Sequence, residues 1–267
     1  MSSKQLKILA ISNQKGGVGK TTTAINLGTA LAAMGKKVLL VDTDPQGNAS
    51  TGLGVSAAMR KLTCYDVLME ESPIASATVA TEVPGLALLP SEQDLSGVEL
   101  ELGQKSRRAY RLRDALAPLH EDGAYNYVLI DCPPALNLLT LNAMAAADGV
   151  LVPLQCEFFA LEGLSHLMHT IELVRGAHNT ELKIEGVVLT MYDQRNTLSK
   201  QVAGDVRAFL GEMVYETMIP RNVRVSEAPG FGRPVLIHDF HCAGSQAYLS
   251  LARELVSREK KEGKRYG

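Results

Sequence analysis

The sequence predicts an α/β protein in which a mostly parallel, twisted β-sheet is flanked by helices on both faces. Apolar, β-branched runs alternate with helix-like segments along the 267-residue chain. The runs are apolar throughout, as expected of strands that are buried on both faces. Alternation of strands and helices favours parallel pairing, because each parallel connection needs a crossover. The length suits one domain, which we expect to span residues 1–267.

The apolar runs define the strands in their order along the chain. We predict strands at residues 6–12, 37–44, 86–90, 125–134, 149–156, 184–192 and 214–220. Helices are expected between them, around 21–35, 107–120, 138–147, 161–176, 198–211 and 244–259. Residues 45–106 are rich in Ser, Gly and Ala, and we interpret them as excursions from the same domain. The charged segment 257–267 is expected to fray.

Composition narrows the classes of protein to which the chain can belong. Hydrophobic residues make up 46% of it, enough for a sizeable core, and the formal net charge is −2, so a polyanion site must be a local patch. The four cysteines form no C-x-x-C pair, which argues against a zinc site and favours a reducing cytoplasm. No apolar stretch reaches the roughly 18 residues that span a bilayer, and no signal-peptide pattern is present.

A glycine-rich segment, NQKGGVGKTT, joins the first predicted strand to the first helix. It departs from the common phosphate-loop pattern G-x-x-x-x-G-K-[ST]. When Gly19, Lys20 and Thr21 are aligned to the end of that pattern, Gln14 replaces its first glycine and Lys15 adds a second cation. The alternative interpretation is a glycine-rich turn between a strand and a helix that holds no ligand.

Each residue type in this segment suits a bound polyphosphate. Glycines let backbone N–H groups approach phosphate oxygens without an intervening Cβ, and the helix N-terminus adds a partial positive charge. Lys20 is expected to reach the β- and γ-phosphates, and the Thr21 hydroxyl is expected to bind Mg²⁺. The nucleotide-binding residues predicted in the loop are Lys15, Gly16, Gly17, Val18, Gly19, Lys20, Thr21 and Thr22.

Acidic side chains follow two of the predicted strands. In VLIDCPP, Asp131 has the position of a Walker B carboxylate, which binds Mg²⁺ through water. In VLLVDTDPQGN, Asp44 is predicted to orient the water that attacks the γ-phosphate. Asp42 of the same segment is interpreted as a cap for a loop or helix. Ligands of parallel sheets bind beyond the carboxyl ends of the strands, where these acids and the glycine-rich loop all fall.

Taken together, these motifs resemble those of one family. KGGVGKTT with its additional lysine, DTDPQGN and LIDCPP are similar to the motifs of the deviant Walker A ATPases of the ParA/MinD family. The resemblance runs nearly end to end, through QCEFFALEGL, GVVLTMYDQRN and IPRNVRVSEAPGFGRPV, and is to the ParA/Soj partitioning type. It implies a P-loop NTPase fold, ATP and Mg²⁺ as cofactors, and slow ATP hydrolysis that a partner stimulates.

The resemblance also implies a dimer. In proteins of this kind two monomers close face to face on two ATP molecules, and the additional lysine, here Lys15, reaches the phosphates bound by the partner. Such a cation stabilises transition-state charge as an arginine finger does, so Lys15, Lys20 and Asp44 are the expected catalytic residues. By the same resemblance, Pro220 and Asn222 are expected to lie by the adenine, and Glu157 is expected to contact the ribose bound by the partner.

A protein that is switched by nucleotide must act on another molecule in one of its states. By the resemblance, we expect this molecule to be DNA. In the proteins that the chain resembles, basic residues at the positions of Arg195 and Arg224 bind DNA without sequence preference, and only in the ATP dimer. The predicted DNA-binding residues are Arg195, Arg221, Arg224 and Arg233. The implied partner is a ParB-type centromere-binding protein. The implied location is the cytoplasm, in association with the nucleoid.

Other outputs stay open on the sequence alone. A ParA-like switch can position a protein cargo instead of a chromosome or plasmid. MinD-like regulators bind membranes through a C-terminal amphipathic helix, but the apolar residues of AYLSLARELV fit core packing, and we expect no membrane partner. An iron–sulfur cluster, as in nitrogenase iron proteins, needs bridging cysteines, whereas Cys132 and Cys156 are interpreted as small hydrophobic residues.

Overall fold

A single β-sheet organises the fold. The computed structural model describes residues 6–265, with side chains described as far as residue 261. Within that range the strands are β1 (Lys7–Ile11), β2 (Val38–Asp42), β3 (Val79–Ala80), β4 (Leu86–Leu89), β5 (Tyr127–Asp131), β6 (Gly149–Gln155) and β7 (Lys183–Thr190). Their order is β3-β4-β2-β5-β1-β6-β7, and neighbours pair in parallel except β3 with β4. The predicted α/β class with a mostly parallel sheet is confirmed.

Helices connect the strands and cover both faces of the sheet. In the described part of the chain the α-helices are α1 (Lys20–Ala33), α2 (Asn48–Gly52), α3 (Cys64–Leu68), α4 (Ile74–Ala77), α5 (Val98–Leu102), α6 (Arg111–Leu116), α7 (Leu119–Asp122), α8 (Leu138–Ala146), α9 (Ala160–Ala177), α10 (Thr197–Leu210), α11 (Val223–Glu227), α12 (Val235–His238) and α13 (Ala243–Arg265). Short 3₁₀ helices lie at Ala57–Met59, Gln93–Gly97, Arg108–Tyr110, Gly211–Met213 and Ala228–Phe231. The predicted helices that became α1, α8, α9, α10 and α13 are confirmed.

Two hydrophobic clusters fill the space between the sheet and its helices. Along β2, Leu39 and Val41 belong to the cluster that contains residues of α8, α9 and α10. Val38 and Leu40 belong to the cluster that contains residues of α1 and α13. All five residues of β2 are buried. This burial on both faces explains why the strands lack the alternation of apolar and polar residues that a half-exposed sheet shows.

The strand predicted at 214–220 is wrong. Near its ends, the N–H groups of Tyr215 and Ile219 donate to Val187 O and Leu189 O of β7 at 2.9 and 2.8 Å, and isolated bridges join Val214 to Val187 and Pro220 to Tyr192, just beyond β7. Between these bridges the backbone N–H groups of Glu216 and Thr217 donate to the carboxylate of Glu254 in α13, at 2.8 and 2.9 Å. A side chain thus takes the donors that a further ladder would need, and the apolar pattern alone could not indicate it.

The helix predicted around 107–120 is also wrong as a single element. The segment forms a 3₁₀ turn followed by α6 and α7. Pro118 separates the two α-helices, because a proline has no N–H with which to continue the hydrogen-bond ladder. At the start, Arg107 has a positive φ of 60°, which an α-helix excludes.

The last helix is longer than the sequence predicts. Fraying is expected from residue 257, but α13 continues to Arg265, and residues 266 and 267 lie outside the described range. Two contacts hold its last described side chains: Arg258 Nη2 donates to Val214 O at 2.9 Å, and the Tyr127 hydroxyl donates to Glu259 at 2.5 Å. Between residues 6 and 265, no helix combines the length and apolarity that a membrane span requires.

Candidate functional site

The predicted phosphate loop and the predicted acids meet at one edge of the sheet. The loop follows β1 and leads into α1, while the acids end β2 and β5. These three strands are adjacent, and the sheet register pairs Asp131 with both Ile11 and Asp42. The carboxyl ends of β1, β2 and β5 therefore bring the loop and both acids to a single place, as expected of a parallel sheet.

The conformation of the loop explains how it departs from the common pattern. Gly17 and Gly19 have positive φ values of 76° and 88°, which glycine adopts without strain. Gln14, at the position of the usual first glycine, is not among the described residues with positive φ. The backbone at this position therefore tolerates a side chain. Gln14 Nε2 donates to the Thr170 hydroxyl in α9 at 2.9 Å, so the replacement also ties the loop to a helix.

Lys20 lies on the buried side of the loop, only 7% exposed. Its Nζ donates to the carbonyl of Lys15 at 2.9 Å, so the ammonium group is held in place by the loop itself. Burial lowers the pKa of Lys20, although the carboxylates of Asp131 and Asp44 oppose that shift. A buried, positioned cation of this kind suits the oxygens of a bound phosphate.

Asp131 is fully buried, and neither of its carboxylate oxygens accepts a hydrogen bond of ordinary geometry from the described residues. Burial raises its pKa well above the ordinary value, and nearby Asp42 adds to the rise. The hydroxyl of Thr21 and the charge of Lys20 act in the opposite direction. An unpartnered buried carboxylate beside a threonine hydroxyl fits a hard cation such as Mg²⁺, directly or through water.

Asp42 and Asp44 have different surroundings. Asp42 is bound by Ser50, whose N–H and hydroxyl donate to Oδ2 at 2.9 and 2.7 Å, as the capping interpretation expects. Burial still raises the pKa of Asp42 to about 6. Asp44 instead lines the open cleft, and its Oδ1 accepts only a local hydrogen bond from Gln46 N at 3.0 Å among the described contacts. The geometry leaves Asp44, and not Asp42, facing the space above the loop.

Two cavities adjoin this edge of the sheet. The larger, of about 530 Å³, lies over the loop and is lined by Lys20, Thr21 and Asp44 among others. The smaller, of about 90 Å³, is lined by Pro220 and Asn222, the two residues predicted at the adenine. Gly19 and Thr22 line both cavities, so one elongated ligand can occupy them together.

Met191 is a site residue that sequence reasoning missed. It lines both cavities and has a φ of 50°, which is rare for a residue with a long side chain. Thr190 before it donates its hydroxyl to the Val18 carbonyl of the loop at 2.9 Å. The signal was available, since Met191 lies at the carboxyl end of the strand predicted at 184–192. Tyr248 also lines the smaller cavity, but its place in a long helix gives no such signal.

Lys15 and Glu157 contact each other within the same chain. They form an ion pair, in which the Lys15 side chain is 42% exposed. Glu157 follows β6, next to the strongly exposed Phe158 and Phe159. Leu136, which follows β5, is exposed as well. The residues predicted to meet a partner therefore lie at the carboxyl edge of the sheet, together with exposed apolar side chains.

The predicted DNA-binding arginines are surface residues with acidic neighbours. Arg195 forms a forked ion pair with Asp193, with its Nε and Nη2 each 3.1 Å from a carboxylate oxygen. Arg224 pairs with Glu227 at 3.0 Å. Arg233 lies 3.7 Å from an oxygen of Glu82. Arg221 lines the smaller cavity and lies near Asp193.

The two cysteines considered for a cluster are buried in the hydrophobic core, where burial raises the pKa of the Cys156 thiol to about 11 and that of Cys132 further. Such thiols behave as small apolar groups. No group of three or more potential metal-binding His, Cys, Asp and Glu side chains occurs among the described residues.

Comparison with known proteins agrees with the geometry of the site. Residues 6–184 match the family model described as AAA domain. The chain is 68% identical to the chromosome partitioning protein ParA of Caulobacter vibrioides, covering 97% of each protein. It is 49% identical to the sporulation initiation inhibitor protein Soj of Bacillus subtilis, covering 94% of this chain and 98% of that one. Among solved structures, cobyrinic acid a,c-diamide synthase of Mycobacterium smegmatis with bound ADP and magnesium matches with a TM-score of 0.83, at 39% identity and 96% coverage of each chain. The chain therefore belongs to the ParA/Soj family of chromosome-partitioning ATPases, within the wider ParA/MinD group.

Proposed function

We propose that the chain is a dimerising ATPase switch that binds DNA without sequence preference in its ATP state and drives chromosome or plasmid partitioning with a ParB-type partner. The observation that carries the proposal is the presence of two lysines with opposite placements in one phosphate loop. Lys20 is buried and Lys15 is exposed. One cation suits the chain's own nucleotide, and the other lies where a second copy can meet it.

In this proposal ATP lies across both cavities, with its base beside Pro220 and Asn222 and its phosphates over the loop. Asp44 orients a water molecule, which attacks the γ-phosphorus while the bond to the bridging oxygen of ADP breaks. Lys20 stabilises the negative charge of the transferring group. Because the Lys15 carbonyl already holds the ammonium in place, little reorganisation is needed when the nucleotide binds.

The residues at the site fit Mg²⁺. Thr21 would hold the ion through its hydroxyl, and Asp131 through water. The buried carboxylate of Asp131 accepts no hydrogen bond of ordinary geometry from the described residues, which supports this assignment, since such burial is otherwise costly. The ion would neutralise charge on the β- and γ-phosphate oxygens, and ATP with Mg²⁺ would be the cofactor pair of the protein.

Dimerisation is supported by the exposed groups at the carboxyl edge of the sheet. Phe158 and Phe159 are large apolar side chains that a face-to-face partner would cover. On closure, Lys15 would exchange Glu157 for the phosphates bound by the partner, and Glu157 would reach the partner's ribose. Loss of the γ-phosphate then weakens the dimer, because the γ-phosphate is part of the contact.

The DNA surface consists in this proposal of Arg195 and Arg224, with Arg221 and Arg233 completing it. Their acidic neighbours leave one monomer with little net positive charge there. Closing the dimer joins two weak patches and raises the effective concentration of the second once the first is bound. DNA affinity would therefore depend on ATP, although the arginines are exposed in the monomer.

A ParB-type centromere-binding protein is the proposed stimulating partner, and the cytoplasm at the nucleoid is the proposed location. Membrane attachment through the last helix has less support. Leu249, Leu251, Leu255 and Val256 of α13 are buried in the core and are not available to insert into lipid. A protein cargo in place of DNA is the alternative that the following experiment separates.

The test measures DNA binding by the purified full chain with no nucleotide, with ADP, with ATP and with a non-hydrolysable ATP analogue. Two duplexes of unrelated sequence and equal length are titrated across a range of salt concentrations. We expect binding only with the triphosphates, equal affinity for both duplexes, and a steep loss of affinity with salt. ATP-driven dimers that bind neither duplex would contradict the DNA output and favour a protein cargo.

Two variants with opposite charge changes test the surface. Arg195→Glu should lose DNA affinity at least about tenfold and keep its ATPase rate, since it removes a phosphate contact and adds repulsion. Asp193→Asn should bind DNA more tightly, because it removes the acid that neutralises Arg195. Unchanged affinity in both variants would place the surface elsewhere.

A further inference from the structure

The loop that carries Asp44 is held by a hydrogen-bond network that extends far beyond the phosphate loop. Asp44 is fixed through its backbone, since its N–H donates to Asp42 Oδ1 at 3.2 Å and its carbonyl accepts from the Ser91 hydroxyl at 2.8 Å. Ser91 follows β4 and is completely buried. The position of Ser91 therefore helps to set the position of Asp44.

Ser91 is bound from a second side as well. Its N–H donates to Ser50 Oγ at 3.1 Å, and Ser50 Oγ donates to Asp42 Oδ2 at 2.7 Å. Asp42, Ser50, Ser91 and Asp44 thus form a closed ring of hydrogen bonds that joins the ends of β2 and β4 to α2. Bonds in such a ring support one another, so a change at one member is felt by the others.

The ring uses the N–H and the hydroxyl of Ser91, and Arg60 binds the remaining polar group of Ser91, its carbonyl. Its Nη1 donates to Ser91 O at 3.2 Å, while Nε and Nη2 donate to Val55 O at 3.0 and 2.8 Å. Nη2 also donates to the Thr51 hydroxyl at 2.9 Å. At Gly47, where φ is 60°, an added Cβ would lie 2.8 Å from Arg60 Nη1. The loop after Asp44 is therefore closed directly over the guanidinium.

We propose that Arg60 is a positioning residue for ATP hydrolysis, which fixes Ser91 and the loop over it and thereby holds the Asp44 carboxylate in place. The inference rests on the proposed function, in which Asp44 orients the attacking water. The hydrogen bonds that the described residues make with Arg60 all lie outside the phosphate loop, so we expect Arg60 to affect the chemical step more than nucleotide binding. Three separate hydrogen-bond acceptors surround the guanidinium, the Glu92 carboxylate lies 3.9 Å from its Nη1, and the single ammonium of a lysine cannot serve them all in the same geometry.

The test compares Arg60→Gln, Arg60→Lys and Ser91→Ala with wild type in the full chain. We expect kcat to fall about 10- to 100-fold in Arg60→Gln, with KM for ATP and affinity for a non-hydrolysable analogue within about twofold of wild type, because a displacement of about 1 Å is that costly. Arg60→Lys should stay nearer to Arg60→Gln than to wild type. Ser91→Ala removes the hydroxyl that binds the Asp44 carbonyl, so it should also lower kcat, again with KM unchanged.

Arg113→Gln is the matched control. Arg113 is exposed, and its guanidinium lies 4.3 Å from the centre of the Tyr110 ring, with no described contact to the ring of hydrogen bonds. Arg113→Gln changes charge and side-chain size as Arg60→Gln does. Because Arg113 lies away from the ring, kcat and KM of this variant should equal those of wild type.

Two results overturn the inference. One is a wild-type kcat in Arg60→Gln. The other is a joint loss of kcat, analogue affinity and thermal stability in both Arg60→Gln and Ser91→Ala, which indicates a structural role only.

A double-mutant cycle separates this inference from the proposed function. If Arg60 acts through Asp44, Arg60→Gln causes no further loss of kcat in the Asp44→Ala background. An additive further loss overturns the role of Arg60 alone. Wild-type turnover in Asp44→Ala overturns the proposed role of Asp44 and, with it, the inference drawn from that role.

Discussion

The surroundings of Asp131 disfavour its ionised form and therefore lower the stability of the folded protein. It is buried, it is close to Asp42, and it lacks hydrogen-bond donors of ordinary geometry among the described residues. Folding therefore places a carboxylate where its ionised form is disfavoured. Sites that bind ligands often carry such a cost, because a group satisfied by protein contacts would be less available to the ligand.

Asp131→Asn should make the nucleotide-free protein more stable. The pKa of Asp131 is raised in the folded state, so its ionisation contributes no cost to folding below the ordinary carboxyl pKa and a progressively larger cost as pH rises toward the raised value. We expect the variant to gain about 1–3 kcal/mol in the free energy of unfolding at pH 8 and much less at pH 4. Denaturant unfolding without nucleotide measures this difference. A less stable variant at pH 8 would show that the carboxylate has a stabilising partner.

Lys20→Ala should abolish ATP-dependent dimers, because it removes the buried cation that meets the phosphates. Sedimentation with a non-hydrolysable ATP analogue measures this effect. Lys37→Ala is the control, since it removes an equal charge at the opposite edge of the sheet, just before β2. Dimers of normal affinity in Lys20→Ala would contradict the assignment of the loop.

The segment 214–220 is held near its ends by β7 and between them by the last helix. Glu254 of α13 accepts hydrogen bonds from the N–H groups of Glu216 and Thr217, just before the residues that line the smaller cavity. Burial alone would raise the pKa of Glu254, but these bonds and Arg258 hold it below its ordinary value. An element distant in sequence thus supports one wall of the proposed adenine site.

Glu254→Gln should destabilise the protein by about 1–2 kcal/mol at pH 7, because two backbone donors lose a charged acceptor. The pKa of Glu254 is lowered on folding, so its contribution is present above the ordinary carboxyl pKa and is lost as pH falls through the lowered value. The difference from wild type should therefore shrink near pH 3. Thermal unfolding at both pH values measures it, and a difference that is independent of pH would contradict the role of the charge.

The sequence predicts the elements whose evidence is local and misses those that depend on distant contacts. The phosphate loop, the acids of β2 and β5 and the parallel sheet follow from spacing, glycine placement and apolar runs. The segment 214–220 does not, because a glutamate from α13 takes its donors. Arg60 lies in the excursion after Asp44, where no periodic pattern exists, and its role depends on Ser91, which arrives from another strand.

In the proposed function, Lys15 couples the assembly of the dimer to the chemistry of each monomer. In the monomer it pairs with Glu157, and in the proposed dimer it meets the partner's phosphates. A half-exposed ion pair contributes about 0–1 kcal/mol, so breaking it opposes closure only weakly. In the proposed function, the ATP-bound dimer can therefore form readily and is still lost when the γ-phosphate leaves.

Lys15→Gln should bind ATP normally and fail to form stable dimers, and its hydrolysis should be about 100-fold slower, as expected when one charge-stabilising donor is removed. Equilibrium binding of an ATP analogue, sedimentation and phosphate release measure these three quantities. Lys37→Gln is the control for the change of charge. A variant that hydrolyses ATP at the wild-type rate as a monomer would exclude any contribution across the interface.

Gln14, which replaces the usual first glycine of the loop, links the phosphate loop to α9 through its hydrogen bond with Thr170. A glycine at this position would remove the bond between the loop and α9, although Asn13 and Val18 would still bond to Pro153 and Thr190. With Gln14 in its place, any displacement of the loop must either break a 2.9 Å hydrogen bond or pull on α9. That helix begins directly after Phe158 and Phe159. The position of the phosphate loop and the position of the helix that follows the exposed phenylalanines are thus linked by a single hydrogen bond.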